Sequence, residues 1–328
     1  MKIRNVLTAM CGIALASSVP MQAAHAQTYP EKPIKIVVPY ASGGAVDIVA
    51  RTLAEKMGRS LGQAVIVDNK TGGAGNIGVD AVAKAQGDGY TISLALSANL
   101  MINQFLYPKL PYSPEKDLAL VAKLADAPLI LVTNSSISVN NSADLRKYVA
   151  ANKGKLAYGS WGAGTVAHLS ASRVSKLLGG DMTHIPYRGE APMIQDLVGG
   201  SFPMSFATGA QAPGFITSGK LKAIGVTGIN RIPALPNVPT LAEAGIDDPL
   251  LRAVGWVGIA APVSTPKAVV QRLAEAAEQA LKQPDVQHRI RELGWVPAFQ
   301  GPAEFNATYK REAPLWQQIV KQSGVTLD

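Results

Sequence analysis

Three short segments pair glycine with hydroxyl or amide side chains. They are Tyr40-Ala41-Ser42-Gly43-Gly44-Ala45, Asn69-Lys70-Thr71-Gly72-Gly73-Ala74-Gly75 and Ser160-Trp161-Gly162-Ala163-Gly164-Thr165. Each follows a β-type run and precedes a stretch with helical spacing. Ligands of open α/β sheets bind outside the carboxyl ends of strands. A helix N-terminus there offers unpaired N–H groups and partial positive charge, which suits an anion. Glycine lets that anion approach the backbone closely. The chemistry implied is capture of a carboxylate without arginine. Taken singly, each segment reads equally well as a turn with a helix cap; three in matching positions point to a ligand site. Asp47, at the start of the first helix, could orient that helix or touch the ligand.

Other chemistries find no complete set. Gly73-Ala74-Gly75-Asn76-Ile77-Gly78 matches the spacing of a dinucleotide fingerprint. It follows the second strand instead of the first, and no acid stands ~20 residues beyond, where such a site needs one. Tyr158-Gly159-Ser160-Trp161-Gly162 resembles a nucleophile elbow, but Tyr158 occupies the first glycine position. His168 follows on the next helix and could neighbour a ligand, yet no acid partner can be named. His168, His184 and His288 lack metal-ligand spacing, and His184, in a strand, reads as a packed core residue. The expectation is a protein that is not an enzyme and carries no cofactor or metal. Trp161 and Trp256 are candidate cleft walls or simply core; Trp161 is the stronger candidate because it lies inside a glycine loop.

Composition narrows the class. Net charge is +8, but charged residues make up only 16% of the chain, below the typical ~25%. The lysines and arginines are dispersed among acids, so no basic patch for nucleic acid forms. Lys2 and Arg4 precede an apolar run from Val6 to Ala16, and Ala24-His25-Ala26 offers a small-x-small cleavage site. This is the pattern of a secretory signal peptide over residues 1–26, with the mature chain starting at Gln27. The run is shorter than the ~20 residues that span a bilayer. The single cysteine, Cys11, lies inside it, so the mature chain is expected to have no disulfide or thiolate chemistry.

The elements that must position the loops follow from periodicity. Ile34–Pro39, Ala64–Val67 and Tyr90–Leu96 read as strands, alternating with helices over Val46–Leu61 and Asn76–Ala85. This βαβαβ rhythm argues a parallel sheet covered by helices. Two apolar runs flank Asp126-Ala127-Pro128, and a second α/β set follows from Ser142, read as a helix cap, to Thr227. Ser264-Thr265-Pro266 is read as an N-cap with proline in the first turn. Pro284 ends that helix, and Pro314 interrupts the last one, over Ala303–Gln322.

YPEKPIKIVVPYASGGAVDIVAR, VIVDNKTGGAGNIGVDAVAKAQGDGYT, LAYGSWGAGTVAHLSA, HIPYRGEAPMIQDLVGG and RIPALPNVPTLAEAG, in this order, resemble the Bordetella-uptake-gene family, the periplasmic receptors of tripartite tricarboxylate transporters. The resemblance implies an α/β, two-lobed, clamshell fold of the periplasmic-binding-protein (Venus flytrap, type II-like) kind, with a ligand cleft between lobes. It implies residues 27–129 plus 253–328 in lobe 1 and 130–252 in lobe 2. The first clamp would be Tyr40, Ala41, Ser42, Gly43 and Gly44 with Asp47. The second would be Ser160, Gly164 and Thr165, beside Trp161 and His168. Ser97 and Asn99 would form a further cleft loop, and Gly189 would shape the wall. The implied partners are a small-molecule carboxylate and the membrane subunits of such a transporter; the implied compartment is the periplasm of a Gram-negative bacterium. Ligand sensing for a signalling partner, or hydrolysis on the same frame, are the competing readings. Two departures stand out. Ala41 and Ser42 replace the family's usual prolines. After Phe202–Phe206 the chain continues Ala207-Thr208-Gly209 where many members carry an acid or asparagine. An ammonium would find no counter-charge at Thr208, which favours a dicarboxylate or an aromatic carboxylate.

Overall fold

The β-branched run Ile34–Val38 forms the first strand, β1, and buries four of its five residues. In this computed structural model residues 29–327 are described; the expected signal peptide and cleavage site lie outside them. The first lobe continues with α1 (Ala45–Leu61), β2 (Val65–Asn69), α2 (Asn76–Ala83), β3 (Thr91–Leu96), a π-helical turn (Ala98–Ile102), α3 (Asn103–Leu106), α4 (Pro114–Asp117) and β4 (Leu118–Ala127). The second holds β5 (Leu129–Asn134), α5 (Ser142–Ala151), β6 (Ala157–Ser160), α6 (Val166–Leu177), β7 (Thr183–Pro186), α7 (Glu190–Val198), β8 (Met204–Thr208), α8 (Ala212–Thr217) and β9 (Leu221–Val226). The chain then returns through β10 (Gly255–Pro262), α9 (Lys267–Leu281), α10 (Pro284–Glu292), β11 (Val296–Gln300) and α11 (Pro302–Ser323).

Both sheets are mixed. The first has the order β11-β4-β10-β3-β1-β2 and the second β7-β6-β8-β5-β9. The expected parallel pairing holds for β1 with β2 and β3, and for β6 with β7 and β8. Every pairing made by β4, β5, β10 and β11 is antiparallel. The cause is the crossing. β4 and β5 are one extended stretch broken only at Pro128, and β10 returns between β3 and β4, so these strands run against their neighbours. The Pro128 step is pinned where Leu129 N–H donates to Thr227 Oγ1 (2.9 Å) and Thr227 N–H to Leu129 O (2.9 Å).

Apolar faces of α1 and α9 meet over the first sheet, with Leu53, Met57 and Leu273 fully buried among Ile34, Ile36 and Leu94. Four local expectations differ. Asn141, not Ser142, caps α5 by accepting from Asp144 N–H; the Ser142 hydroxyl donates to Ala244 O instead. No side chain caps α9, whose first residue is Lys267. Pro284 ends α9 and also opens α10, because its fixed φ and missing N–H suit a helix's first turn. Pro314 does not interrupt α11: it is exposed, so the carbonyl it leaves unpaired can face water.

Candidate functional site

A cavity of about 280 Å3 lies where the two sheets meet. The first sheet contributes Leu96, Ser97 and Ala98 from the end of β3, Gly255 and Trp256 from the start of β10, and Trp295 before β11. The crossing gives Ala127, Pro128 and Leu129, and the second lobe gives Trp161, Thr165, Val166, Glu190 and Thr208. A larger groove, about 450 Å3, shares Pro128, but its cations are already matched. Arg231 pairs with Glu243 (2.9 Å), Arg252 with Asp247 (2.6 Å) and Lys123 with Asp126 (2.6 Å).

The loop after β6 is held from below. Thr165 caps α6, its Oγ1 accepting from His168 N–H (3.3 Å) and donating to Gly162 O (2.8 Å). Gly164 N–H donates to His168 Nδ1 (3.0 Å). The His168 ring stacks on His184, centroids 3.6 Å apart, and His184 stacks on Tyr158. Burial, aided by the neighbouring His184, holds His168 down at about 4, so its ring is neutral and Nδ1 is free to accept. Burial also lowers His184, whose Nε2 lies 2.7 Å from Ser160 Oγ. Ser160, fully buried, also bonds Gly162 O (2.9 Å). Among the described residues no carboxylate hydrogen-bonds either ring, so Ser160 and His184 stop short of a hydrolytic triad. Val166 opens α6 at the cavity, where first-turn N–H groups lack intrahelical acceptors.

On the first lobe, Ser97 lines the cavity and accepts from Trp256 N–H (3.2 Å). The Trp256 ring is fully buried, edge-on to Phe305, with its N–H on Glu312 (3.1 Å). Asn99 stands behind. It accepts from the Tyr40 hydroxyl and donates to Ala74 O (2.9 Å) and Asn76 Oδ1 (3.0 Å). The Tyr40 hydroxyl also accepts from Leu96 N–H (3.4 Å); burial raises its pKa, so it stays neutral. Ala41, Ser42, Gly43 and Gly44 are exposed and do not line the cavity. Their loop is fastened by buried Asp47, which accepts from Gly43 N–H (2.8 Å), Ser42 Oγ (3.4 Å), Arg51 Nε (2.9 Å) and Asn69 Nδ2 (2.8 Å). Burial pushes its carboxyl up, but these bonds outweigh it and hold the pKa at about 2. Asp47 is thus saturated by its own loop. In the dinucleotide-like stretch a Cβ on Gly78 would stand 2.5 Å from Lys70 O; protein fills that space.

Residues 49–325 match the model of the tripartite tricarboxylate transporter family receptor. This chain belongs to that family. The periplasmic binding protein BugD is 35% identical, covering 91% of this chain and 99% of its own, with a TM-score of 0.74. A Rhodopseudomonas palustris relative solved with adipate, Rpa4515, is 30% identical over 91% of this chain and 99% of its own, TM-score 0.77. MatC from the same organism, solved with malate, is 31% identical over 89% of this chain and 100% of its own, TM-score 0.72. The two-lobed fold is that of these binding proteins, and the family is one of receptors, not enzymes.

In this receptor the end of β8 does carry an acid. Thr208 N–H donates to Glu190 Oε1 (2.6 Å) and Thr208 Oγ1 to Oε2 (2.9 Å). Burial raises the Glu190 pKa, with the Thr208 bonds pulling the other way. The expectation of a missing counter-charge at Thr208 is therefore corrected: the carboxyl arrives from the first residue of α7. Glu190 directly follows Gly189, which the sequence reading singled out. The available signal was its place at the first position of a helix facing a neighbouring strand's end. Trp295 was also missed, since it lies in the unforeseen turn between α10 and β11.

Proposed function

We infer that this receptor captures a small organic carboxylate in the periplasm and presents it to the membrane subunits of a tripartite tricarboxylate-type transporter. The observation that carries the reading is a cavity fed by both sheets, with the open end of α6 and the Ser97 hydroxyl beside it, while the Thr165 and Thr208 hydroxyls already donate to Gly162 O and Glu190. Two relatives solved with adipate and malate support a carboxylate. A dicarboxylate or an aromatic carboxylate fits an apolar cavity with a few polar groups at its ends. In this reading the described residues up to Ala127 and from Gly255 onward form one lobe and those from Leu129 form the other, hinged at Pro128 and near Ala253; the expected boundary at 129/130 falls inside β5, whose Leu129 pairs with Thr208. Ligand shifts the population toward a closed form by touching both lobes at once. The exposed loop Ala41–Gly44 forms part of the rim that closure brings inward.

A thermal-unfolding screen of the chain from Gln27 against dicarboxylates, tricarboxylates, aromatic acids and their amides tests this. A ligand present at a hundred times its Kd stabilises by ~2.7 kcal/mol. A rise with one class of acid and none with its amide is expected. Equal shifts with acid and amide, or no shift after unfolding and refolding to strip co-purified ligand, would refute it.

A further inference from the structure

Among the described residues Glu190 is the one acid that lines the inter-lobe cavity, and no lysine, arginine or histidine lines it with it. Both its oxygens are oriented by Thr208, so its carboxyl has a fixed place. The remaining wall is mostly apolar, with Trp161 from the second lobe and Trp295 from the first, both partly exposed. In such surroundings like charges are weakly screened, and a second carboxylate brought beside Glu190 finds no cation to offset it. We propose that Glu190 is a specificity-determining residue that selects monoanionic carboxylates with an aromatic or other apolar body and rejects doubly ionised dicarboxylates. The inference rests on the carboxylate-receptor reading and narrows it to one of its two ligand classes. The ligand's single carboxylate lies away from Glu190, toward the N-terminal turn of α6. Its apolar body lies between the two tryptophan-bearing walls. The relatives holding adipate and malate would then differ from this receptor in what they accept at this end.

Titration calorimetry at pH 8 of the mature chain and of Glu190→Gln, with benzoate, phenylacetate, adipate and malate, decides it. The wild type is expected to bind an aromatic monocarboxylate at least tenfold more tightly than either dicarboxylate. Glu190→Gln keeps an acceptor for Thr208 N–H and removes the charge. It should gain at least tenfold for a dicarboxylate while its aromatic affinity changes less than threefold. Glu190→Met, uncharged and of similar volume, should move in the same direction if the glutamine variant unfolds early. An unchanged ratio between the two classes in both variants, or weaker dicarboxylate binding than wild type, overturns the inference and leaves the receptor reading intact. Failure of every carboxylate to bind both wild type and variants overturns the receptor reading and this inference with it.

Discussion

Gly209 follows β8 on one lobe, and Gly294 precedes β11 on the other. The two meet backbone to backbone: a Cβ on Gly209 would stand 2.9 Å from both Gly294 Cα and Gly294 O. Ordinary carbon contacts lie at ~3.5–4.0 Å, so Gly209→Ala lacks roughly 0.6–1 Å of room. Neither neighbour is a flexible side-chain end that could turn away. The least costly relief is to separate the lobes. Overpacking of this kind costs about 1–3 kcal/mol. If the cost falls only on the closed arrangement, affinity drops by about tenfold to a hundredfold. If opening separates these two glycines, the unliganded protein should not suffer. Losing a glycine even favours folding by ~0.4–1 kcal/mol through the unfolded chain. The assay pairs calorimetric affinity for the carboxylate that gives the largest thermal shift with the unfolding midpoint of the empty protein. Weakened binding with an equal or higher empty midpoint is the expected pattern. Unchanged affinity would refute the view that closure brings these glycines together. A lowered empty midpoint would mean that the contact persists without ligand.

Two further predictions concern pH. Asp47 is held at about 2, below its reference of 3.8, so its contribution to stability is complete above about pH 5 and is lost as pH falls toward 2. The shift is worth about 2 kcal/mol; Asp47→Asn should lose that amount at pH 7 and flatten the acid limb, as read by denaturant unfolding. His168 is held at about 4, below its reference of 6.5, so between those values the unfolded chain binds the proton and the folded one resists it. Stability should fall as pH drops from 6.5 to 4, and His168→Gln should remove much of that slope; an identical slope would refute the buried neutral ring.

What could be read from the sequence follows the range of the interactions. The IKIVV run and the spacing of Val46, Val49, Leu53 and Met57 fix a strand and a helix locally, and both are present. Ser97, Trp161, Thr165 and Thr208 were legible because each sits at or just beyond a strand's carboxyl end, and all four line the cavity. The same rule pointed to Ala41–Gly44 and to Asn99, which do not line it. Being next to a strand's end fixes where a residue stands on its own sheet, not which lobe faces it. That second fact depends on β10 entering between β3 and β4, a pairing of residues 128 or more apart in the chain that no local spacing encodes.

Glu190 marks the same limit from the other side. Within the chain it is one residue past Gly189 and eighteen before Thr208, at the start of a short amphipathic helix, where an acid suits the helix dipole and needs no further reason. Only the packing of α7 beside β8 turns that helix-start acid into the cavity's charge. A missing acid after β8 therefore says little by itself about a ligand's charge. The carboxyl can come from either neighbour of the strand, and here α7 supplies it to the backbone and hydroxyl of Thr208.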